Sequence, residues 1–287
     1  MTEHHVFAAD WLSLREPADH AARSEPLFAE LARYLAARVL GSQALNIVDL
    51  GAGAGSNLRW LAPRLAQAQH WILVDRDAEL LARATARTLH PPAGQAISVQ
   101  TVKTDLSNSA LAWIAEADLV TAAAFFDLVS STWIERLSAA CASARVACLF
   151  VLSVDGRWDF VDEGGNTISD EDDLYLQDLF NQHQRRDKGL GAALGPDAAS
   201  VLVKRLAAHG LQVSTEPSDW QLAPDDPLSL SLGRELMAGW RQAALEQAPS
   251  DNTRIEGWHQ RRQADLAAGR LGLRVGHLDI LALPARP

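Results

Sequence analysis

The stretch IVDLGAGAGSN, residues 47–57, sets a carboxylate, Asp49, two residues before Gly51 and then repeats glycine at Gly53 and Gly55. Three glycines between an apolar run and a helical pattern let the backbone turn sharply, and a ligand can approach without meeting a Cβ. A nucleotide diphosphate and a sulfonium nucleoside both suit such a turn, and glycines there can also serve helix packing alone. Asp49 separates the two ligands, because a carboxylate at the strand end repels a pyrophosphate and attracts ammonium and sulfonium charges. Ser56 also stands where the dinucleotide fingerprint has glycine or alanine. A second acid, Asp75, ends the run HWILVD, about 20 residues after the turn, where a carboxylate can accept hydrogen bonds from ribose hydroxyls. Asp77 competes with it, although its position suits the cap of the following helix. Asp105, in KTDLSN, follows the third apolar run and serves either a ligand or its own turn.

Asp49, Gly51, Gly53 and Gly55 match the D/E-x-G-x-G-x-G motif, and the chain resembles the class I methyltransferases that use S-adenosylmethionine (SAM). The resemblance extends through Asp75, the pair Asp105 and Leu106, and ADLVTAAAFFDLVS as a fourth strand with its turn; it is good over residues 45–155 and weak elsewhere. It implies a cofactor set of Asp49, Gly51, Ala52, Gly53, Gly55, Asn57, Asp75, Arg76, Asp105, Leu106 and Ala122. Asp75 would take the ribose hydroxyls, and Asp105 with Leu106 the adenine. Arg15 and Arg23, in an amino-terminal segment like the lids of small-molecule methyltransferases, are candidates for the carboxylate of the methionine part. A salt bridge of Arg15 to Glu16 or Asp19 is the structural alternative.

Methyl transfer is an in-line displacement at an activated carbon, so the protein has mainly to align and desolvate two reactants. A base is needed only when the nucleophile must lose a proton. The fourth strand lacks the Asn/Asp-Pro-Pro-aromatic motif that holds planar amino groups, and neither Cys141 nor Cys148 follows a proline as a nucleophilic cysteine would. Asp127 and Asp155 only imitate the carboxylates of metal-assisted transfer, and no metal site is expected. The segment HQRRDKGLG gathers His183, Asp187 and Lys188, a base, a carboxylate and a cation, as the candidate catalytic group; a solvated helix end is the alternative. Trp158 and Tyr175 are either pocket aromatics or core fillers.

These residues need strands that end at a common edge. Short apolar runs alternate with amphipathic helices at LNIVDL, HWILVD, AISVQTV, ADLVTAAA and RVACLFVLSV. Such alternation predicts right-handed crossovers and a parallel sheet whose ligands lie beyond the carboxyl ends of the strands. LQVSTEPSDWQL and LRVGHLDILALP read as the last two strands. The expected fold is α/β: a Rossmann-like, seven-stranded, mostly parallel sheet with helices on both faces, an antiparallel last strand and helical cap insertions. Residues 1–44 are expected to form a helical lid and residues 45–287 the SAM-binding domain, with insertions at 156–195 and 223–270 building a substrate cap; the second could equally build a homodimer surface.

The 287 residues, 48% hydrophobic and 22% charged, can bury a sizeable core. A formal net charge of −10 disfavours a nucleic-acid partner, which needs clustered Lys and Arg. The amino terminus lacks the order of a signal peptide, and no apolar run approaches the roughly 20 residues of a membrane span. A cytoplasmic enzyme transferring methyl from SAM to the oxygen or nitrogen of a small polar metabolite is therefore expected. The alternatives are an NAD(P)-dependent oxidoreductase, an RNA or protein methyltransferase, and a SAM-binding module without catalysis.

Overall fold

The computed structural model describes residues 9–38, 44–87, 95–106, 111–187, 192–224 and 226–285. Two helices, α1 (Ala9–Ala22) and α2 (Glu25–Arg38), precede the first strand, β1 (Leu45–Leu50). Then follow α3 (Ser56–Leu61), β2 (Gln69–Asp75), α4 (Ala78–Ala86), β3 (Ile97–Lys103), β4 (Leu119–Ala123), α5 (Ser131–Ala144) and β5 (Ala147–Val161). After β5 come α6 (Glu171–Gln184), α7 (Ala198–Ala208), β6 (Leu211–Pro217), β7 (Trp220–Leu222), α8 (Pro227–Gln247), α9 (Asn252–Ala267) and β8 (Gly272–Pro284).

The sheet order is β3-β2-β1-β4-β5-β8-β6, with β7 added on β8. β1 to β5 pair in parallel, and β8 runs antiparallel to β5, β6 and β7. Strand order reverses between β1 and β4, so the carboxyl ends of β1, β2 and β4 open onto one crevice. Strands buried on both faces explain the apolar runs. On one face Ile47, Leu73, Leu149 and Leu281 pack with Leu31, Leu58 and Leu81 of α2, α3 and α4. On the other, Val48, Val120, Phe150 and Ile280 pack with Ile134, Leu137 and Leu202 of α5 and α7. Cys141 and Cys148 are free and buried in that second core.

Three features differ from the expectation. The sheet has eight strands instead of seven, because LQVSTEPSDWQL breaks at Ser218 into β6 and β7, held there by Ser218 N–H on the His277 carbonyl (2.9 Å) and His277 N–H on Asp219 Oδ1 (3.1 Å). SNSALAWIAEA makes only a 3-10 turn at Ala112–Glu116 within its described part, entered through Leu111 at φ 50°. β5 does not stop near Val154. A bulge between Val154 and Trp158 lets it continue to Val161, pairing with the first half of β8. That ribbon, widened by β7, carries a third core. Trp158, Phe160, Trp220, Leu222, Leu273 and Val275 meet Leu176, Leu179, Trp240 and Trp258 of α6, α8 and α9. Ala18 of α1 joins the same core. Among the described residues, no helix is long and apolar enough to cross a membrane.

Candidate active site

The turn after β1 is hooked onto β2 by the Gly51 and Ala52 N–H groups, both bonded to the Val74 carbonyl (2.9 and 3.1 Å). At Gly51 a Cβ would lie 2.6 Å from the Phe125 ring, so only glycine fits. Gly53 has room, with Leu12 of α1 3.6 Å from an added Cβ, but its φ of +51° disfavours side chains. Its N–H donates to Asp75 Oδ2 (2.8 Å), and Asp77 N–H donates to Asp75 Oδ1 (2.9 Å). One carboxylate thus joins the turns after β1 and β2, and each oxygen keeps a lone pair for a further donor. Asp77 caps α4, accepting from the Glu79 and Leu80 N–H groups (2.8 and 3.1 Å). Arg76 and Asp105 follow the ends of β2 and β3 and are both engaged by neighbours. Leu106 is buried, its carbonyl accepting from Trp133 Nε1 (2.8 Å), and Ala122 is fully buried inside β4.

Asp49 is wholly buried. Its Oδ1 accepts from Asn57 Nδ2 (2.9 Å), which also donates to Thr121 Oγ1 (2.8 Å); Thr121 spends its own proton on the Leu149 carbonyl (2.8 Å). The Asn57 amide is thereby oriented with its oxygen toward Arg23, whose Nη1 donates to it at 2.5 Å. Burial pushes the Asp49 carboxyl up to about 7, opposed by Asn57 and Arg23 and helped by the charge of Asp75. Burial likewise lowers Arg23 to about 10. Asp49 Oδ2, Arg23 Nε and Nη2, and Asp19 Oδ1 are buried without hydrogen-bond partners. Buried polar atoms are normally paired, so this concentration of open donors and acceptors suits a zwitterionic ligand end.

α1 is clamped over the turn. Glu16 takes a bidentate bond from Arg59 (2.6 and 2.7 Å) and another from Arg87 (2.7 Å), and these cations hold its carboxyl below the ordinary range despite burial. His20 Nε2 lies 3.1 Å from Ser56 Oγ. Arg15 pairs with Asp19 (3.2 Å), the structural alternative of the sequence reading. Asp279 of β8 accepts from Ser24 N–H (2.9 Å) and from the N–H of Leu152 (2.8 Å). The latter bond holds Leu152 at φ 55°, a conformation costing roughly 1–2 kcal/mol.

Of the candidate catalytic group, His183 lies at the end of α6. His183 Nε2 pairs with Glu246 of α8 (2.8 Å), Asp187 lies past the end of α6 and is engaged by a neighbour, and Lys188 lies outside the described residues. Tyr175 donates to Asp251, and Trp158 stacks on Trp240 at 4.1 Å, so both are bound up in the third core and its rim. Asp155 holds Arg157 (2.8 Å). Reading the sequence missed Thr121, Asp279, His277 and Trp220. The available signal was polar His277 and Asp279 two apart in the apolar run LRVGHLDILALP, which places both on one strand face.

Residues 47–145 match a family described as a methyltransferase domain. No curated protein matches the chain by sequence. Among solved structures, the cyclopropane-fatty-acyl-phospholipid synthase-like protein from Lactobacillus casei ATCC 334 is 14% identical. The match covers 96% of this chain and 94% of that one with a TM-score of 0.55, which is a likeness of fold. The cyclopropane synthase MmaA2 from Mycobacterium tuberculosis is 10% identical over 96% and 94% of the two chains, with a TM-score of 0.46.

Proposed function

We propose that this chain, whose residues 47–145 match a methyltransferase domain, uses SAM to methylate an oxygen or nitrogen of a small polar metabolite held beneath α1. The observation that carries the reading is the set of open polar atoms at Asp49, Arg23 and Asp19 beside the glycine turn. Arg23 Nε and Nη2 would hold the carboxylate of the methionine part, and Asp49 Oδ2 its ammonium. Asp75 would accept the ribose hydroxyls with its remaining lone pairs, and Asp105 and Leu106 would border the adenine. When bound, SAM supplies a methyl carbon activated by the neighbouring sulfonium. The protein's part is to align the acceptor with that carbon and to exclude water.

α1 is suited to the second task, being fixed at Glu16 and His20 over the turn. We assign residues 1–44 as a lid and the insertions at 156–195 and 223–270, which carry α6, α8 and α9, as a cap over the acceptor. His183 and Asp187, at the end of α6, then belong to the cap's rim.

Calorimetric titration of the purified protein with S-adenosylhomocysteine (SAH), SAM and NAD tests the cofactor. The expected outcome is micromolar binding of the first two and none of NAD. Arg23→Gln should weaken SAH about ten- to a hundredfold, the worth of a charged hydrogen bond, with the fold kept. Unchanged SAH affinity would remove Arg23 from the site, and binding of NAD alone would replace methyl transfer by hydride chemistry.

A further inference from the structure

The underside of α1 continues beyond the glycine turn. Arg15 and Asp19 lie four apart on one face of α1, and Arg23 follows another four residues on, one residue past the end of the helix. One end of this ladder bonds Asn57; the other lies over β7 and β8, where His277 and Trp220 pack with ring centroids 4.9 Å apart. His277 is 3% exposed, Trp220 3%, Asp19 2% and Ser218 1%. Trp220 Nε1 faces the Asp19 carboxyl and Ser218 Oγ faces Asp279, but neither pair closes into a hydrogen bond, so Trp220 Nε1, Asp19 Oδ1 and Ser218 Oγ keep unused capacity.

His277 adds a fourth open atom. Its Nδ1 lies 3.0 Å from the Val275 carbonyl, which can only accept, so Nδ1 carries the proton and Nε2 presents a lone pair. Among the described residues no group bonds that Nε2. Burial and the Arg15 charge push the imidazole down to about 4, against the Val275 carbonyl and Asp155, so it stays neutral at physiological pH. Two acceptors, His277 Nε2 and Asp19 Oδ1, therefore lie near the Trp220 indole donor, on side chains that are all buried.

We propose that the underside of α1, where His277, Trp220, Asp19 and Ser218 come together, is the acceptor subsite and takes a small primary or secondary amine that also carries a hydroxyl or carbonyl oxygen. The assignment rests on the methyltransferase reading and narrows its acceptor. An amine offers N–H donors to Nε2 and to Asp19, and its second polar group can accept from Trp220. A carboxylate acceptor would face Asp19 with like charge and leave Nε2 unpaired. An alcohol would need a far stronger base than a carboxylate or this imidazole.

The incoming ammonium gives one proton to Asp19, whose carboxyl burial holds above its ordinary value. The nitrogen lone pair forms the N–C bond as the S–C bond breaks and its electrons pass to sulfur, giving SAH and a methylated ammonium. Asp19 returns its proton to water when the product leaves. His277 Nε2 keeps a hydrogen bond to the nitrogen throughout and so fixes the direction of its lone pair.

The test incubates the full chain with methyl-labelled SAM and a panel of small amines, their hydroxyl isosteres and matching carboxylic acids, with SAH binding measured in parallel. Label is expected in amines only. His277→Ala should then lower kcat/KM about ten- to a hundredfold with SAH affinity unchanged. In histidine-labelled protein, the His277 Nε2 resonance should move when the accepted amine is added to the SAH complex, where no turnover occurs. SAH binding with no amine labelled, or with label only in hydroxyl or carboxyl acceptors, would overturn the inference. A silent His277 resonance or a fully active His277→Ala would do the same. Failure to bind SAH would instead overturn the methyltransferase reading beneath it.

Discussion

Two buried acid–arginine arrangements in this molecule differ in how completely they are paired. In the third core, Asp173 and Arg262 are 1% and 6% exposed. Asp173 Oδ1 accepts from Trp258 Nε1 (2.6 Å) and Arg262 Nε (3.0 Å), while Oδ2 accepts from Arg262 Nη2 and the Asp170 N–H (2.6 Å). Every lone pair that faces protein is used, and the group ties the start of α6 to α9. Beneath α1, Arg23 is equally buried but spends one nitrogen on Asn57, while Asp49 and Asp19 each keep an open oxygen. The first arrangement is a complete structural joint. The second has the donors and acceptors of a joint whose missing part must come from outside the chain, which is the physical basis for reading it as a binding site.

Breaking the complete joint should have the largest effect. Asp173→Asn removes the buried partner of Arg262, leaving it only the part-exposed Asp170 and Asp265 (3.2 and 3.7 Å), and should cost about 3–5 kcal/mol of unfolding free energy, measured by denaturant titration. SAH affinity of the folded fraction should be unchanged, because the third core does not hold the glycine turn. A stable Asp173→Asn protein with weakened SAH binding would erase the distinction between the two arrangements.

The incomplete arrangement should instead respond to pH. Asp49 has a folded-state value of about 7, above its unfolded value, so between about pH 4 and pH 7 the folded chain retains a proton that the unfolded chain loses. Stability from this group therefore falls as pH rises through that window and is flat above it. Asp49→Asn removes the slope and should be more stable than the parent at pH 8 by up to about 4 kcal/mol, with the difference shrinking toward pH 5. The lowered His277 value gives an opposite slope below about pH 6.5, but it is common to both proteins and cancels in the comparison. An Asp49→Asn protein that tracks the parent across pH would mean that Asp49 is not held protonated by burial.

The same contrast explains what could be read from sequence. The glycine turn, Asp75 and the five parallel strands are written in contiguous stretches, where strand period, turn residues and strand-end acids coincide. The underside of α1 is not. Arg23, Asn57, Thr121 and Asp279 meet across four separate elements, and nothing local to any one of them reports the others. The run RVACLFVLSV understates β5, because Asp155-Gly156-Arg157 has the residue types of a turn, whereas the chain uses them as a bulge and resumes alternation at Trp158 and Phe160. His183 drew attention as a titratable residue beside cations, but composition alone does not separate a site from a helix contact.

That last ambiguity gives the smallest expected effect. His183 faces Glu246 at 2.8 Å, with Glu246 nearly half exposed and Arg186 3.6 Å from the same carboxylate. Solvent screens such a pair, and Arg186 remains to partner Glu246 when the imidazole is removed. His183→Ala should therefore cost less than about 1 kcal/mol in denaturant titrations and leave SAH affinity and methyl transfer at parental levels. A large fall in turnover with unchanged SAH binding would return His183 to the catalytic group and move the acceptor from the underside of α1 to the junction of α6 and α8. Because the two placements predict opposite rankings of His183→Ala and His277→Ala, the pair of variants assayed side by side decides whether the reaction lies beneath α1 or at the junction of α6 and α8.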